Sequence, residues 1–318
     1  MSKVLKFFKY LLLLIVAIIG IYTAINYHND ISISEMKAKY AYPESKFVEI
    51  QNTPVHYRIV GEGMPVVLVH GTAASIHTWE DWTDILKQDF QVISFDLPAF
   101  GLTGPRPDRK YAISDYVAFM DEFVENIGVD SFHLAGNSLG GGIAWNYTVA
   151  HPEKVAKLIL VNSSGYPSNK APSIAFKIAG TPILKDLMQK ITPKSLIEKS
   201  LSEVFYNDAL VSDEIVNRYF DMTLREGNRQ AFGDRVAQVQ YNNSDLVKTV
   251  QNETLIIWGA HDEWIPVECA HNFHRDLPNS ELKIYEKCGH IPMEEKAKES
   301  GQDVLTFLNR VNEQITRK

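Results

Sequence analysis

Five residues near the middle of the chain, Gly136-Asn137-Ser138-Leu139-Gly140, have the types and spacing to present a nucleophile. An apolar, strand-like stretch holding Phe132 and Leu134 precedes them, and a helix-like one holding Ile143, Ala144, Trp145 and Tyr147 follows. A serine on such a sharp strand-to-helix turn is forced into a strained backbone conformation. Glycines on either side leave room for the neighbouring strand and helix. The hydroxyl then projects above the sheet, at a helix N-terminus that favours developing negative charge. A serine so placed attacks carbonyl carbon if a base, an orienting acid and an oxyanion site are supplied from elsewhere.

Distant segments offer all three. The apolar run Thr254-Leu255-Ile256-Ile257-Trp258-Gly259 leads into Ala260-His261-Asp262-Glu263-Trp264-Ile265-Pro266, which puts Asp262 just past a strand end, before a proline-marked turn. Glu263 is the fallback acid. Leu282-Lys283-Ile284-Tyr285 alternates like a strand and leads into Cys288-Gly289-His290-Ile291-Pro292. Of ten histidines, only His290 follows a terminal strand with a glycine before it, which makes it the expected base. The order Ser138, Asp262, His290 is the one this elbow architecture requires. The strand-like run 65–69 ends in His70-Gly71-Thr72-Ala73-Ala74. The backbone N–H groups of Thr72 and Leu139 are expected to converge on a carbonyl oxygen, and two such donors are worth on the order of several kcal/mol in the transition state. Among other titratable residues, His70 is expected to orient the oxyanion loop, and His77 either shapes the pocket or is a solvated loop residue. His133 and His151 read as structural. Asp96, before Pro98 and Gly101, reads as a hydrogen-bond acceptor that locks a tight turn.

The elements that must position these residues follow a regular rhythm. Residues 47–50 and 55–60 alternate as an opening antiparallel pair. Strands at 66–69, 91–95, 132–134 and 158–161 then alternate with helices at 79–86 and 113–127, the latter capped by Ser114 or Asp115 and stopped by Gly128. This pattern predicts an α/β fold with a mostly parallel, doubly wound sheet. The rhythm breaks at Asn162-Ser163-Ser164-Gly165-Tyr166-Pro167, and some eighty residues with helical spacing follow before it resumes at Thr254. Residues 46–165 and 246–318 are therefore expected to form one core, and 166–245 a helical cap over the serine.

At the N-terminus, Lys3, Lys6 and Lys9 precede an apolar stretch reaching Ile25, about the length needed to cross a bilayer. Lysines before it and Asp30 and Glu35 after it predict a signal anchor over 1–27, with the globular part outside the cytoplasm. A cleaved signal peptide is the competing reading, with Ala24 and Tyr22 forming a poor cleavage site. Residues 28–45 read as a stalk or a short amphipathic helix.

The chain has 318 residues, ample for one large domain and an insertion. Its 32 basic and 39 acidic residues give a formal charge of −7. No basic stripe is present to neutralise phosphates, which excludes nucleic acid as a partner. The histidines lack ligand spacing, so no metal is expected, and no organic cofactor is implied. Cys269 and Cys288 read as small packing residues, with a disulfide between them left open.

Taken together, His70-Gly71-Thr72, the run Phe95 through Gly101, Gly136 through Gly141, His151-Pro152-Glu153, Gly259 through Asp262 and Gly289 through Pro292 resemble the α/β-hydrolase superfamily. The resemblance covers roughly residues 45–165 and 246–315. Within the superfamily the chain resembles bacterial carboxylesterases and lipases with a helical cap, which implies ester hydrolysis on a small-molecule or lipid ester. It also resembles meta-cleavage-product C–C hydrolases through Gly-Asn-Ser and Lys287-Cys288-Gly289-His290. Those enzymes usually carry Trp after that histidine, where Ile291 stands here. A C–C hydrolase would want a cationic cap residue for its substrate carboxylate, and Arg225, Arg229 and Arg235 are available. Haloalkane dehalogenases and epoxide hydrolases of this fold use Asp where Ser138 stands. In some relatives the orienting acid follows the earlier strand, near Asn162, which carries no carboxylate. A perhydrolase activity and a non-catalytic binding protein are the remaining readings; the latter requires a damaged triad, and the triad is complete in this sequence.

Overall fold

A computed structural model describes residues 3–168, 170, 172–239 and 243–310. The first two residues of the expected anchor and the eight after Arg310 lie outside the described residues, as do five positions of the expected cap.

Eight strands form one sheet: β1 (Ser45–Ile50), β2 (Thr53–Val60), β3 (Pro65–Val69), β4 (Gln91–Phe95), β5 (Phe132–Asn137), β6 (Val155–Val161), β7 (Glu253–Gly259) and β8 (Ser280–Tyr285). Their order is β1-β2-β4-β3-β5-β6-β7-β8. The first two pairings are antiparallel, as the opening alternation predicts, and the rest are parallel. The continuous apolar run of β3 has a direct cause. Val67 and Val69 face one buried core while Val66 and Leu68 face the other, so both sides of the strand are covered. The chain leaves β3 towards β4 on one side and returns as β5 on the other. Such a reversal opens a crevice at the carboxyl ends of the strands. Val69 of β3 lies opposite Gly136 of β5, which sets the loop after β3 beside the elbow after β5.

The N-terminal helix α1 (Lys3–Asn26) has no buried residue, and its most apolar window has a mean hydropathy of 2.4; by length and composition it is able to cross a membrane. The stretch expected as a stalk or amphipathic helix holds α2 (Ile33–Tyr40), started by a reciprocal capping box between Ser32 and Glu35. It does not hold the globular part at a distance. Met36 is buried against Leu102 and Met222, and Asp30 pairs with Arg229. Lys39 and Tyr40 both donate to Asp221, and Tyr27 and Ile31 bridge to Ile191 and Arg225.

Helix α3 (Glu80–Leu86) covers one face of the sheet, with α4 (Ile113–Asn126) and α5 (Leu139–Ala150) on the other. Of the two capping candidates for α4, Asp115 is the one used, accepting the Ala112 N–H at 2.9 Å. Among the described residues between β6 and β7 stand five α-helices: α6 (Ile174–Ala179), α7 (Pro182–Met188), α8 (Lys194–Val204), α9 (Asp213–Leu224) and α10 (Asn228–Val236). After β7 come α11 (Glu268–Asp276), the one-turn α12 (Pro292–Glu295) and α13 (Ala297–Leu308). Trp82 and Leu86 of α3 pack with Val304 and Phe307 of α13, while Phe273 of α11 joins the opposite core. Both cysteines are free and buried, which removes the disulfide. Burial pushes both thiols up, that of Cys269 to about 11.

Candidate active site

Ser138 sits between β5 and α5 with φ +54° and ψ −115°, in the left-handed region that a non-glycine residue rarely enters. The turn is held from three directions. Its own N–H donates to the Val161 carbonyl at 3.0 Å, and its carbonyl accepts from the N–H groups of Gly142 and Ser164. A Cβ on Gly140 would lie 2.0 Å from the Val69 carbonyl oxygen, and one on Gly136 2.2 Å from that of Gly140. The two glycines are therefore required by close approach to the strand and helix, as the motif implies.

His290 Nδ1 stands 2.7 Å from Asp262 Oδ2. The carboxylate accepts two further bonds at Oδ1, from the N–H groups of Trp264 (2.7 Å) and Ile265 (2.9 Å). An ionised carboxylate only accepts, so Nδ1 carries the proton and Nε2 is left with its lone pair. That Nε2 is buried and has no hydrogen-bond partner among the described residues. Ser138 and His290 line the same cavity, and Asn137, beside the serine, donates its side-chain amide to the His290 carbonyl at 3.1 Å. Glu263, the fallback acid, is exposed, and it is Asp262 that stands against His290.

Two positioning residues went unrecognised in the sequence. Asn162, at the end of β6, donates to Asp262 Oδ2 at 2.6 Å; the absence of a carboxylate there was legible, the bond was not. Glu295 accepts from the N–H of Gly289 (2.6 Å) and from those of Tyr206 and Asn207, tying the His290 loop to the insertion. Only its place five residues past His290 hinted at this.

The loop after β3 is fixed by buried polar bonds. His70 donates from Nδ1 to the Gly71 carbonyl at 2.7 Å and accepts the Leu97 N–H at Nε2 (2.9 Å). It does orient that loop. Asp96 accepts from His56 Nδ1, from the Ile76 N–H and from the Leu102 N–H, all at 2.7–2.8 Å. Burial pushes its carboxyl up, but His56, His70 and the Leu102 N–H outweigh burial and bring it down to about 2. Asp96 is thus a turn-locking acceptor. His77 fits neither expectation. It is buried, accepts from Ser75 Oγ at Nδ1 and donates from Nε2 to the Tyr40 carbonyl at 2.9 Å, fastening the end of α2 to the core. His133 is buried on β5, and burial, helped by the charge of Lys157, lowers it to about 4.

Ser138 stands between two chambers. One is walled by Ser138, His290 and apolar insertion residues, among them Phe176, Leu196, Leu201, Met222 and Phe232. The other brings Thr72 and Leu139 to one wall with Ser138 and adds Ser164, Lys170, Ser173 and Arg235. Leu139 opens α5, where backbone N–H groups lack carbonyl partners a turn earlier. The three candidate arginines separate here. Arg225 donates to the carbonyls of Leu102, Thr103 and Glu226, and Arg229 to Asp30, Thr192 and the His28 carbonyl. Arg235 alone of the three lines a chamber containing the serine.

The family model described as the alpha/beta hydrolase fold matches residues 64–297, and the chain belongs to that family. It is similar to 2-hydroxy-6-oxononadienedioate/2-hydroxy-6-oxononatrienedioate hydrolase 1 of Pseudomonas putida, 28% identical over 283 residues, covering 83% of this chain and 96% of that protein. Among solved structures it resembles the candidate lipase lip1 of Acinetobacter baumannii, with a TM-score of 0.73 and 27% identity over 88% of this chain and 97% of that one. A membrane phospholipase A shares the fold over 96% of this chain and 98% of its own, with a TM-score of 0.72 and 24% identity. Hydrolase is the class of activity that the fold and the named relatives support.

Proposed function

We propose that the chain is a serine hydrolase of carboxylic esters. The observation that carries this reading is His290 Nε2, buried and without a hydrogen-bond partner among the described residues, in the wall of the cavity that holds Ser138 on its strained turn. His290 takes the Ser138 proton as the hydroxyl attacks the ester carbonyl. Asp262 holds the ring in the required tautomer and stabilises the imidazolium. The N–H groups of Thr72 and Leu139 bind the oxyanion, the alcohol leaves, and a water activated by His290 releases the acid. The helical insertion acts as a cap whose apolar wall receives the acyl chain. A fluorophosphonate probe should label Ser138, and Ser138→Ala should lower p-nitrophenyl ester turnover by about three orders of magnitude or more with folding intact. Undiminished turnover in that variant defeats the assignment.

A second reading is C–C hydrolysis of a vinylogous diketone acid, favoured by the names of relatives such as the P. putida hydrolase. Comparing a short-chain ester with a ring-cleavage dienoate separates the two. For location, α1 acts as an uncleaved signal anchor with the site outside the cytoplasm, supported by its exposed apolar surface and the three lysines at its start. Protease accessibility of the globular part in intact cells tests this.

A further inference from the structure

We infer that the second chamber is an anion subsite, and that the ester's alcohol portion carries a phosphate or carboxylate bound by Arg235. This inference rests on the ester-hydrolase reading and adds to it the chemistry of the leaving group. The two chambers that meet at Ser138 are chemically unlike. The chamber walled by Phe176, Leu201 and Met222 suits an acyl chain, so the alcohol half is directed to the other side of the serine.

There the walls carry two cations. Arg235 is only 6% exposed, yet no hydrogen bond or ion pair holds it among the described residues, and its Nε is buried without a partner. Its guanidinium stands 6.0 Å from the Tyr116 ring. The adjacent carboxylate, Asp234, faces away to make a two-pronged pair with Arg109. A guanidinium withdrawn from water without a carboxylate is costly, and buried charges are normally paired. Arg225 is held by three backbone carbonyls and Arg229 by Asp30, though each also has a buried Nε without a partner among the described residues; Arg235 differs in having no acceptor among them at all. Lys170 stands in the same chamber, spending one donor on the Asp262 carbonyl, and Ser173 Oγ is a second buried polar atom without a partner among the described residues. A planar fork of donors beside an ammonium and a hydroxyl matches a phosphate or carboxylate.

The test uses matched substrates with one acyl group and the full-length protein in detergent. One pair is butyryl-glycerol 3-phosphate against monobutyrin; the other is 4-(butanoyloxy)benzoate against its neutral benzamide. In the wild type the anionic member should have the higher kcat/KM in at least one pair, and which pair shows it distinguishes phosphate from carboxylate. Arg235→Met should lower the anionic-to-neutral ratio about 20-fold or more, and Arg235→Lys should restore part of it. An unchanged ratio in Arg235→Met, or no anionic preference in the wild type, overturns the subsite. Hydrolysis of the neutral esters in either case leaves the ester reading standing. Absence of hydrolysis on all four, with Ser138 unlabelled by fluorophosphonate, overturns both.

Discussion

The side-chain amide of Asn162 and the carboxylate of Asp262 meet at 2.6 Å across a hundred residues of sequence. The oxygen that receives this bond is the one that holds His290. Asn162 also accepts the Gly259 N–H, so it links the ends of β6 and β7 and the acid together. A bond to a charged group is worth about 2 kcal/mol. Asn162→Leu should therefore lower kcat/KM roughly 30-fold. Asn162→Asp should cost more, because two carboxylates at this distance cannot both ionise near neutral pH. Equal activity in all three proteins, measured on one ester, contradicts the arrangement.

Gly140 has no room for a methyl group: the Val69 carbonyl oxygen would stand 2.0 Å from it and that of His70 2.6 Å, and this backbone at the end of β3 cannot yield as a flexible side chain would. Gly140→Ala should destabilise the fold by about 3 kcal/mol, read from urea unfolding followed by tryptophan fluorescence.

Stability should decline on the acid side in two stages. Burial holds His133 and His77 at about 4, below the ordinary 6.5, so the folded state binds fewer protons than the unfolded one. Their contribution is whole above 6.5 and is lost as pH falls towards 4. Asp96, held at about 2 against the ordinary 3.8, contributes fully above 3.8 and fails as pH falls towards 2. Burial lowers His70 as well, so His133→Phe should reduce the first slope by about one proton without abolishing it. A slope that does not change places the acid sensitivity elsewhere.

Met36 fastens α2 to Leu102 and Met222, and Met222 also lines the apolar chamber. Met36→Ala should cost about 2–4 kcal/mol of local packing. The readout is faster trypsin cleavage at Lys37 or Lys39. Cleavage at the wild-type rate would mean that α2 is not held by this contact.

Local sequence determined much of this protein. The apolar run of β3, the alternation of β1 and β2, the glycines around Ser138 and the strand ends before Asp262 and His290 each reflect the burial or backbone geometry of a short segment. Periodicity and sterics encode such features directly. The tertiary structure decided what depends on register between distant elements. It chose Asn162 as the partner of Asp262, gave Arg225 and Arg229 acceptors but Arg235 none among the described residues, turned His77 to the end of α2 and docked residues 28–45 on the insertion. Each outcome depends on which side chains meet when separate elements pack, and no spacing along one segment records that distance.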